Sequence, residues 1–255
     1  MISPIRLDLA GLERMRETFL SRMDDFGDFG DVPSRYHADE RAYKDELVRL
    51  CNATLTPELF AARTGPEDPE HDQTVIDAAL KVLTTRLEST GTPQNFVVWR
   101  NIEVLRQMTG VERAVFAPAL GPLLHGSSRS EDRLDAFVPV MWPIWRRIRG
   151  GNPYAATRLI PTFFLMLRDP RNDMAVRSDL VSRLVKLLLN GETILQYQPF
   201  NGANYRRVLA LAGAVRDVLQ RWGWYPRDLI DVQSFMWLGT RTPQELGVTD
   251  EAEEG

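Results

Sequence analysis

Two carboxylates near the C-terminal end of the sequence have a spacing that could support chemistry. Asp228 and Asp231 lie three positions apart, so a helix would place them on one face. Paired in this way, the two carboxylates could bind a metal ion or take part in acid–base catalysis. A structural interpretation competes: Pro226 suits a first helical turn, Asp228 would stabilise its positive end, and Asp231 would pair with Arg227 or with an arginine from another helix. We favour the structural interpretation and keep both aspartates as a possible acidic site.

A second cluster, ERAYKDE, combines a lysine with several carboxylates. Glu40 and Lys44 are four residues apart and Asp45 and Glu46 follow directly. A carboxylate–lysine pair could belong to a metal site. The same order also makes a good surface ion pair on a helix, worth about 0.3–0.5 kcal/mol. We expect the solvated ion pair.

The segment WPIWRRIRGGNPY, residues 142–154, interleaves arginines with aromatic residues. Arginines in such a pattern can bind phosphates, and the aromatic rings can stack on bases. The pattern also fits a helix C-terminus, where arginines offset the negative end of the dipole while the tryptophans pack inside. With the arginines of two later helices, the candidate DNA- or partner-binding residues are Arg146, Arg147, Arg149, Arg206, Arg207, Trp145 and Arg227.

Motifs of the common enzyme classes are missing from the sequence. It has no Gly-rich phosphate loop, no dinucleotide fingerprint and no nucleophile elbow. His37, His71, His125 and the single cysteine, Cys51, form no zinc pattern. We therefore predict no catalytic residue, no metal site and no cofactor. A nuclease with carboxylates and a lysine scattered along the chain remains compatible with the sequence.

Composition is that of a folded protein with an uneven charge distribution. The 255 residues are 44% hydrophobic and 26% charged, with a net charge of −4, which argues against wholesale disorder. Residues 1–100 carry 12 basic and 18 acidic groups, whereas residues 101–240 carry 18 and 12. The basic half could favour an acidic partner. One cysteine, no signal peptide and no membrane-spanning stretch lead us to expect a cytoplasmic protein without membrane contact.

Apolar residues recur at helical spacing over most of the chain. The pattern predicts an all-α fold, an irregular multi-helix bundle of about ten helices. Prolines inside the apolar periods should kink or split several helices, and residues 192–200 could form at most a short β element. We expect an acidic helical subdomain (1–93), a basic, aromatic-rich helical domain (94–240) and an acidic flexible tail (241–255). The predicted helices cover about 8–23, 38–52, 57–62, 72–89, 96–108, 111–124, 131–149, 153–167, 178–189, 205–222 and 226–238.

Several segments occur in a familiar order, namely NFVVWRNIEVLRQM, RLIPTFFLMLRDPRNDMAVRSDLVSRLVKLL and YPRDLIDVQSFMWL. Together they resemble the helical region that precedes the AAA+ motor in McrB-like, modification-dependent restriction proteins. The most specific piece is 227–237, and Phe26, Phe29 and residues 40–44 are similar to openings in that group. The resemblance implies a bacterial antiphage setting and a role in recognising DNA or partner subunits, with no catalytic residue to carry over. Because this chain contains no motor, it implies either a separately encoded AAA+ motor or nuclease subunit as partner, or a fragment.

Three functions are consistent with these observations. The leading hypothesis is a non-catalytic recognition or adaptor module of a restriction-type defence system, with its basic half facing DNA or an acidic partner. The second is a protein–protein scaffold or regulator of a partner ATPase that makes no DNA contact. The third is a cryptic metal-dependent nuclease that uses Asp228, Asp231 or Glu40 with Lys44.

Overall fold

The computed structural model describes residues 5–88, 91, 96–150, 154–192, 194–195 and 200–241. These residues form α-helices joined by short loops, and a π-helical turn, His37–Arg41, that leads into α2. The helices are α1 (Leu9–Leu20), α2 (Ala42–Thr54), α3 (Pro57–Ala61), α4 (Pro69–Thr84), α5 (Trp99–Arg106), α6 (Gly110–His125), α7 (Ser130–Arg149), α8 (Tyr154–Arg168), α9 (Ser178–Leu188), α10 (Gly202–Arg221) and α11 (Leu229–Gly239). The predicted all-α fold is confirmed.

No β element longer than an isolated bridge residue, Arg86, occurs in the part of the chain that the structure describes. Of the predicted β segment, residues 193 and 196–199 lie outside that part, as does the predicted tail after residue 241. None of the helices described has the length and apolar character needed to cross a membrane.

Side-chain caps explain where several helices begin. The carboxylate of Asp8 accepts hydrogen bonds from the backbone of Ala10 and Gly11 at the start of α1, and Thr109 forms a capping box with Glu112 at α6. These groups satisfy backbone N–H donors that have no partner inside a helix. Asp68 caps α4, so this helix starts at Pro69, earlier than the predicted residue 72.

Five prolines lie inside helices without splitting them, so of the two predicted alternatives, kinked or split helices, the split is excluded. Pro118 and Pro122 lie within α6, Pro139 and Pro143 within α7, and Pro161 within α8. The four in α6 and α7 are exposed and lie four residues apart on one face of their helix. The carbonyl groups that lose a donor lie on this exposed face, where solvent is available as a hydrogen-bond donor.

Two helices are buried almost all round and form the centre of the bundle. In α8, residues 159–167 are all buried, and in α11 the same is true of residues 229–236. A helix with no solvated face must be surrounded by other elements: α8 packs against α2, α5, α6, α7 and α9, and α11 packs against α1, α9 and α10.

The loop after α1 is held by its aromatic residues Phe26 and Phe29. Their rings pack edge to face with a centroid distance of 4.9 Å, and both contact Phe19 and Trp224. Such contacts combine a large buried area with favourable ring geometry. The loop thereby becomes part of the core between α1 and α11.

The predicted division between residues 1–93 and 94–240 falls on residues 92–95, which lie outside the described part. Buried apolar residues from both sides of this boundary belong to one contiguous cluster that extends from Leu12 to Leu238. α1 lies directly against α11, with Gly239 close to Met15.

Candidate functional site

The predicted acidic pair lies at the start of α11 and is buried beneath the guanidinium group of Arg41. Nη1 and Nη2 of Arg41 donate to the two carboxylate oxygens of Asp228, each at 2.7 Å. Nη1 also donates to Oδ1 of Asp231 at 2.8 Å. Bidentate pairing of this kind is the strongest ion-pair geometry that proteins use. An arginine from the π-helical turn thus binds both carboxylates.

Asp231 receives further hydrogen bonds from two other residues. The hydroxyl group of Tyr36 donates to Oδ1 at 2.6 Å, and Nε of Arg227 donates to Oδ2 at 2.9 Å. Burial alone would raise the pKa of Asp231, but hydrogen bonds from Arg227 and Tyr36 and the positive charge of Arg41 lower it. The carboxylate is therefore ionised and saturated with donors.

Asp228 caps α11, accepting from the backbone N–H groups of Ile230 and Asp231. As predicted, Asp228 lies at the positive end of the helix and Asp231 pairs with Arg227 and with an arginine from another helix. Pro226, predicted in the first helical turn, lies before the N-cap, because the side chain of Asp228 starts the helix at Leu229. Both carboxylates are neutralised by guanidinium groups, which leaves no room in their coordination for a cation. No group of three or more His, Cys, Asp or Glu side chains that could hold a metal ion is found among the described residues.

The ion pair between Lys44 and Glu40 exists, but its predicted position on the solvated surface is wrong. Lys44 is only 3% exposed, and its Nζ donates to Oε2 of Glu40 at 2.6 Å and to the hydroxyl group of Ser234 at 2.7 Å. Burial alone would lower the pKa of Lys44, but the charges and hydrogen bonds of Glu40 and Tyr43 together raise it above its ordinary value. Because Ser234 belongs to α11, Lys44 connects α2 to α11, the helix that Arg41 also contacts.

The tryptophan predicted to stack on bases is buried. Trp145 is 0% exposed, packs against Phe137 and cannot contact a ligand. Trp99 at the start of α5 has the opposite environment: it is 65% exposed, and the guanidinium group of Arg100 lies 5.5 Å from its ring centroid. Trp99 is not among the predicted site residues, although its position beside an arginine in the sequence was a signal for it.

Two predicted arginines lie at the end of α7, which meets the start of α5. Nη1 of Arg149 donates to the carbonyl oxygen of Arg100 at 3.3 Å, which joins the end of α7 to the start of α5. Arg146, three residues earlier on the same face of α7, is exposed and has no acidic partner among the described residues. We call Trp99, Arg100, Arg146 and Arg149 the Trp99 surface.

The other predicted arginines are elsewhere or already paired. Arg147 binds Glu112 with Nε and Nη2, at 2.5 and 2.6 Å, and this hydrogen bonding lowers the pKa of Glu112. Arg206 pairs with Glu131 near the opposite end of α7, fifteen residues before Arg146 and hence roughly 22 Å away along the helix axis. Arg207, next to Arg206, is half-buried, and Arg227, itself exposed, pairs with the buried Asp231.

Trp237, near the end of α11, is partly buried between two arginines. The guanidinium carbons of Arg177 and Arg241 lie 4.0 and 3.6 Å from its ring centroid, and Asp179 pairs with both arginines. Cation–π stacking of this kind stabilises the end of α11. The residues of this cluster come from two distant segments of the chain, so no local sequence pattern predicts it.

A groove of about 480 Å³ lies between α3, the start of α4 and α6. Its walls are mainly apolar and include Phe60, Pro118, Pro122 and two histidines, His71 and His125. Nε2 of His125 lies 2.9 Å from the carbonyl oxygen of Leu55 and therefore acts as the donor, which leaves Nδ1 as an acceptor in the neutral ring. Burial lowers the pKa of His125, which favours the neutral ring.

Comparisons with protein-family models, with curated proteins and with solved structures find no match to this chain. The geometry described above is therefore the basis for a functional interpretation.

Proposed function

We propose that this protein is a non-catalytic recognition module that binds DNA through the Trp99 surface. The observation that carries the proposal is an exposed tryptophan whose ring lies next to the guanidinium group of Arg100, at a helix start that Arg149 from the end of α7 contacts. Arg100, Arg146 and Arg149 carry no ion pair among the described residues. Arginines neutralise phosphates and an exposed aromatic ring stacks on an unpaired base, so this combination suits the backbone and an open end of a nucleic acid.

The saturated network around Asp228 and Asp231 favours a non-catalytic role. Each carboxylate already accepts hydrogen bonds from an arginine and lies in the interior, where it helps to hold α11 against the π-helical turn. We therefore do not propose the nuclease. The restriction-type setting, with a separately encoded motor or nuclease subunit as partner, rests on the sequence resemblance alone and belongs to the same proposal.

The test is a mobility-shift titration with a DNA duplex that carries a single-stranded end, at about 50 mM and about 200 mM salt. We expect binding that weakens steeply with salt. In the Arg146→Ala/Arg149→Ala variant, affinity at low salt should fall at least about tenfold, and the salt slope should fall by up to about 0.9 for each phosphate that the protein no longer neutralises. Trp99→Ala should weaken binding of the single-stranded end without changing the slope.

Arg129→Ala is the matched control. Arg129 is an exposed arginine at the other end of α7, paired with Asp132, so its removal should leave DNA affinity unchanged. Absence of binding at low salt, or equal reductions of affinity in the control and in the double variant, would exclude the Trp99 surface as a DNA site.

A protein–protein scaffold is the second candidate, and the exposed Val98 beside Trp99 favours it. Tryptophan and arginine dominate the energetics of protein interfaces as well. Under this alternative, the protein would bind no DNA at low salt, and Trp99→Ala would disrupt a complex with a partner ATPase from the same host.

A further inference from the structure

We propose that α7 forms the interface of a two-fold symmetric dimer, in which the exposed face of this helix lies antiparallel against the same face of a second copy of the chain. The inference goes beyond the DNA proposal and does not rest on it. Two properties of the face carry it: an uncharged apolar middle, and opposite charges at equal distances on either side of that middle.

The middle of the exposed face of α7 is apolar. Ala136, Pro139, Val140 and Pro143 are all exposed, and residues 136–145 include no charged side chain. The buried side of the helix packs against α5, α6, α8 and α10. An exposed apolar strip with charged residues at its ends is typical of a protein–protein contact. Because these side chains are short, a second helix can lie close to α7.

The charged residues that flank the apolar middle have opposite signs. Asp132 and Arg146 are exposed, and each lies seven residues from Pro139, which is roughly 10 Å along the helix axis. Seven residues also return to nearly the same side of a helix. The helix dipole favours acidic side chains near the N-terminus and basic ones near the C-terminus. In α7 this order makes the exposed face complementary to itself.

A two-fold axis through Pro139 converts this layout into two ion pairs between the copies. In a symmetric contact of this kind, residue i contacts residue j of the partner and j contacts i, so each Asp132 lies opposite the partner's Arg146. A parallel pair of helices would instead bring like charges together. Any other partner would need the same charges in reverse order and at the same spacing. The face of α7 itself meets this requirement, which identifies a second copy as the occupant.

Both charged residues are available for the contact. Arg146 has no acidic partner in the part of the chain that the structure describes. Asp132 makes an exposed ion pair with Arg129 at 3.3 Å, a kind of pair that contributes little to stability and can exchange for another arginine. The neighbouring Asp135, in contrast, accepts a hydrogen bond from the backbone of Gly202 at 2.6 Å. Asp132 therefore supplies the negative charge of the interface.

The test is sedimentation velocity of the DNA-free protein over a wide concentration range, with charge-reversed variants. We expect a monomer–dimer equilibrium. Asp132→Arg and Arg146→Asp should each raise its dissociation constant at least tenfold, because each substitution creates two like-charge contacts across the axis. An equimolar mixture of the two variants should regain wild-type association, since each introduced charge then faces its opposite.

Pro139→Cys tests the position of the axis. The single cysteine of the chain, Cys51, is buried, so the new thiol is the exposed one. Mild oxidation should link two copies through residue 139, because a two-fold axis brings equivalent residues together. Leu9→Cys, at a 65% exposed position on α1, is the matched control and should remain unlinked.

Restored association of the mixture also shows that both charge-reversed variants are folded, and their melting curves should match that of the wild type. Trp99→Ala should leave association unchanged, so failure of the DNA proposal is distinguishable from failure of this one. Three results would overturn the proposal. They are a monomer at the highest soluble concentration, association that either charge reversal leaves unchanged or that the mixture does not regain, and equal crosslinking of the two cysteine variants.

Discussion

A pair of buried carboxylates takes its role from its partners. Asp228 and Asp231 alone are compatible with a metal site and with a helix cap. Arg41, far away in the sequence, decides between these roles because its guanidinium group occupies both carboxylates. The pair and its arginines thus serve to hold the first helices of the chain against the last one.

Asp231→Asn should destabilise the protein strongly at neutral pH. The substitution removes a fully buried charge that accepts from Arg41, Arg227 and Tyr36, and breaking a buried ion pair of this kind costs about 3 kcal/mol. Because the folded-state pKa of Asp231 is lowered, the stability that its charge contributes is present above its unfolded pKa of about 4 and disappears as pH falls through the folded value. Urea denaturation at several pH values measures the effect.

The difference in unfolding free energy between wild type and Asp231→Asn should therefore shrink as the pH is lowered below about 4. Asp39→Asn is the control, since Asp39 makes an exposed ion pair with Arg35 that should be worth less than about 1 kcal/mol. A pH-independent difference would show that the charge of Asp231 does not supply the stability.

Close packing between α1 and α9 depends on a glycine, which has no side chain. α1 approaches the end of α9 so closely that a Cβ atom on Gly11 would lie 2.1 Å from the carbonyl oxygen of Leu187. The backbone of Asp8 also donates to Leu188 at 2.9 Å. Gly213, inside α10, has no atom within 4 Å of the corresponding position. Close packing therefore requires a glycine at position 11 but not at position 213.

Opposite effects on stability are expected from adding one methyl group at these two positions. Gly11→Ala should lower the unfolding free energy by about 1–3 kcal/mol, because the helices must move apart. Gly213→Ala should raise it by about 0.5–1 kcal/mol, because alanine is the better helix former. Thermal denaturation followed by circular dichroism compares them, and a stabilised Gly11→Ala variant would contradict the close approach of α1 to α9.

In the molecule as a whole, α1 lies against α11 and one apolar cluster joins the two predicted domains. We expect a single cooperative unfolding transition, because neither segment has a separate core. Far-ultraviolet circular dichroism and tryptophan fluorescence should give the same midpoint. Two resolved transitions would instead support independent units at 1–93 and 94–240.

Helix content and most helix boundaries follow from the sequence, because they depend on local periodicity and caps. Asp8 and Thr56 cap helices at the predicted starts, whereas Asp228 starts α11 at Leu229, three residues after the predicted residue 226. Local sequence information does not predict which side chains are exposed to solvent. The same pattern of arginine and tryptophan describes the buried Trp145 and the exposed Trp99, and only packing distinguishes them.

An all-α chain without the motifs of the common enzyme classes can be deduced from the order of the residues, since periodicity and motif spacing are local properties. The packing of the helices was needed to establish that Lys44 is buried and that Arg41 neutralises Asp228 and Asp231. The packing was also needed to show that Arg149 contacts the start of α5 and that Arg206 lies at the far end of α7. The reason is physical: the energy of a charge depends on its burial and on its nearest partner. Both are set by residues that are distant in the chain and become neighbours only when the helices pack.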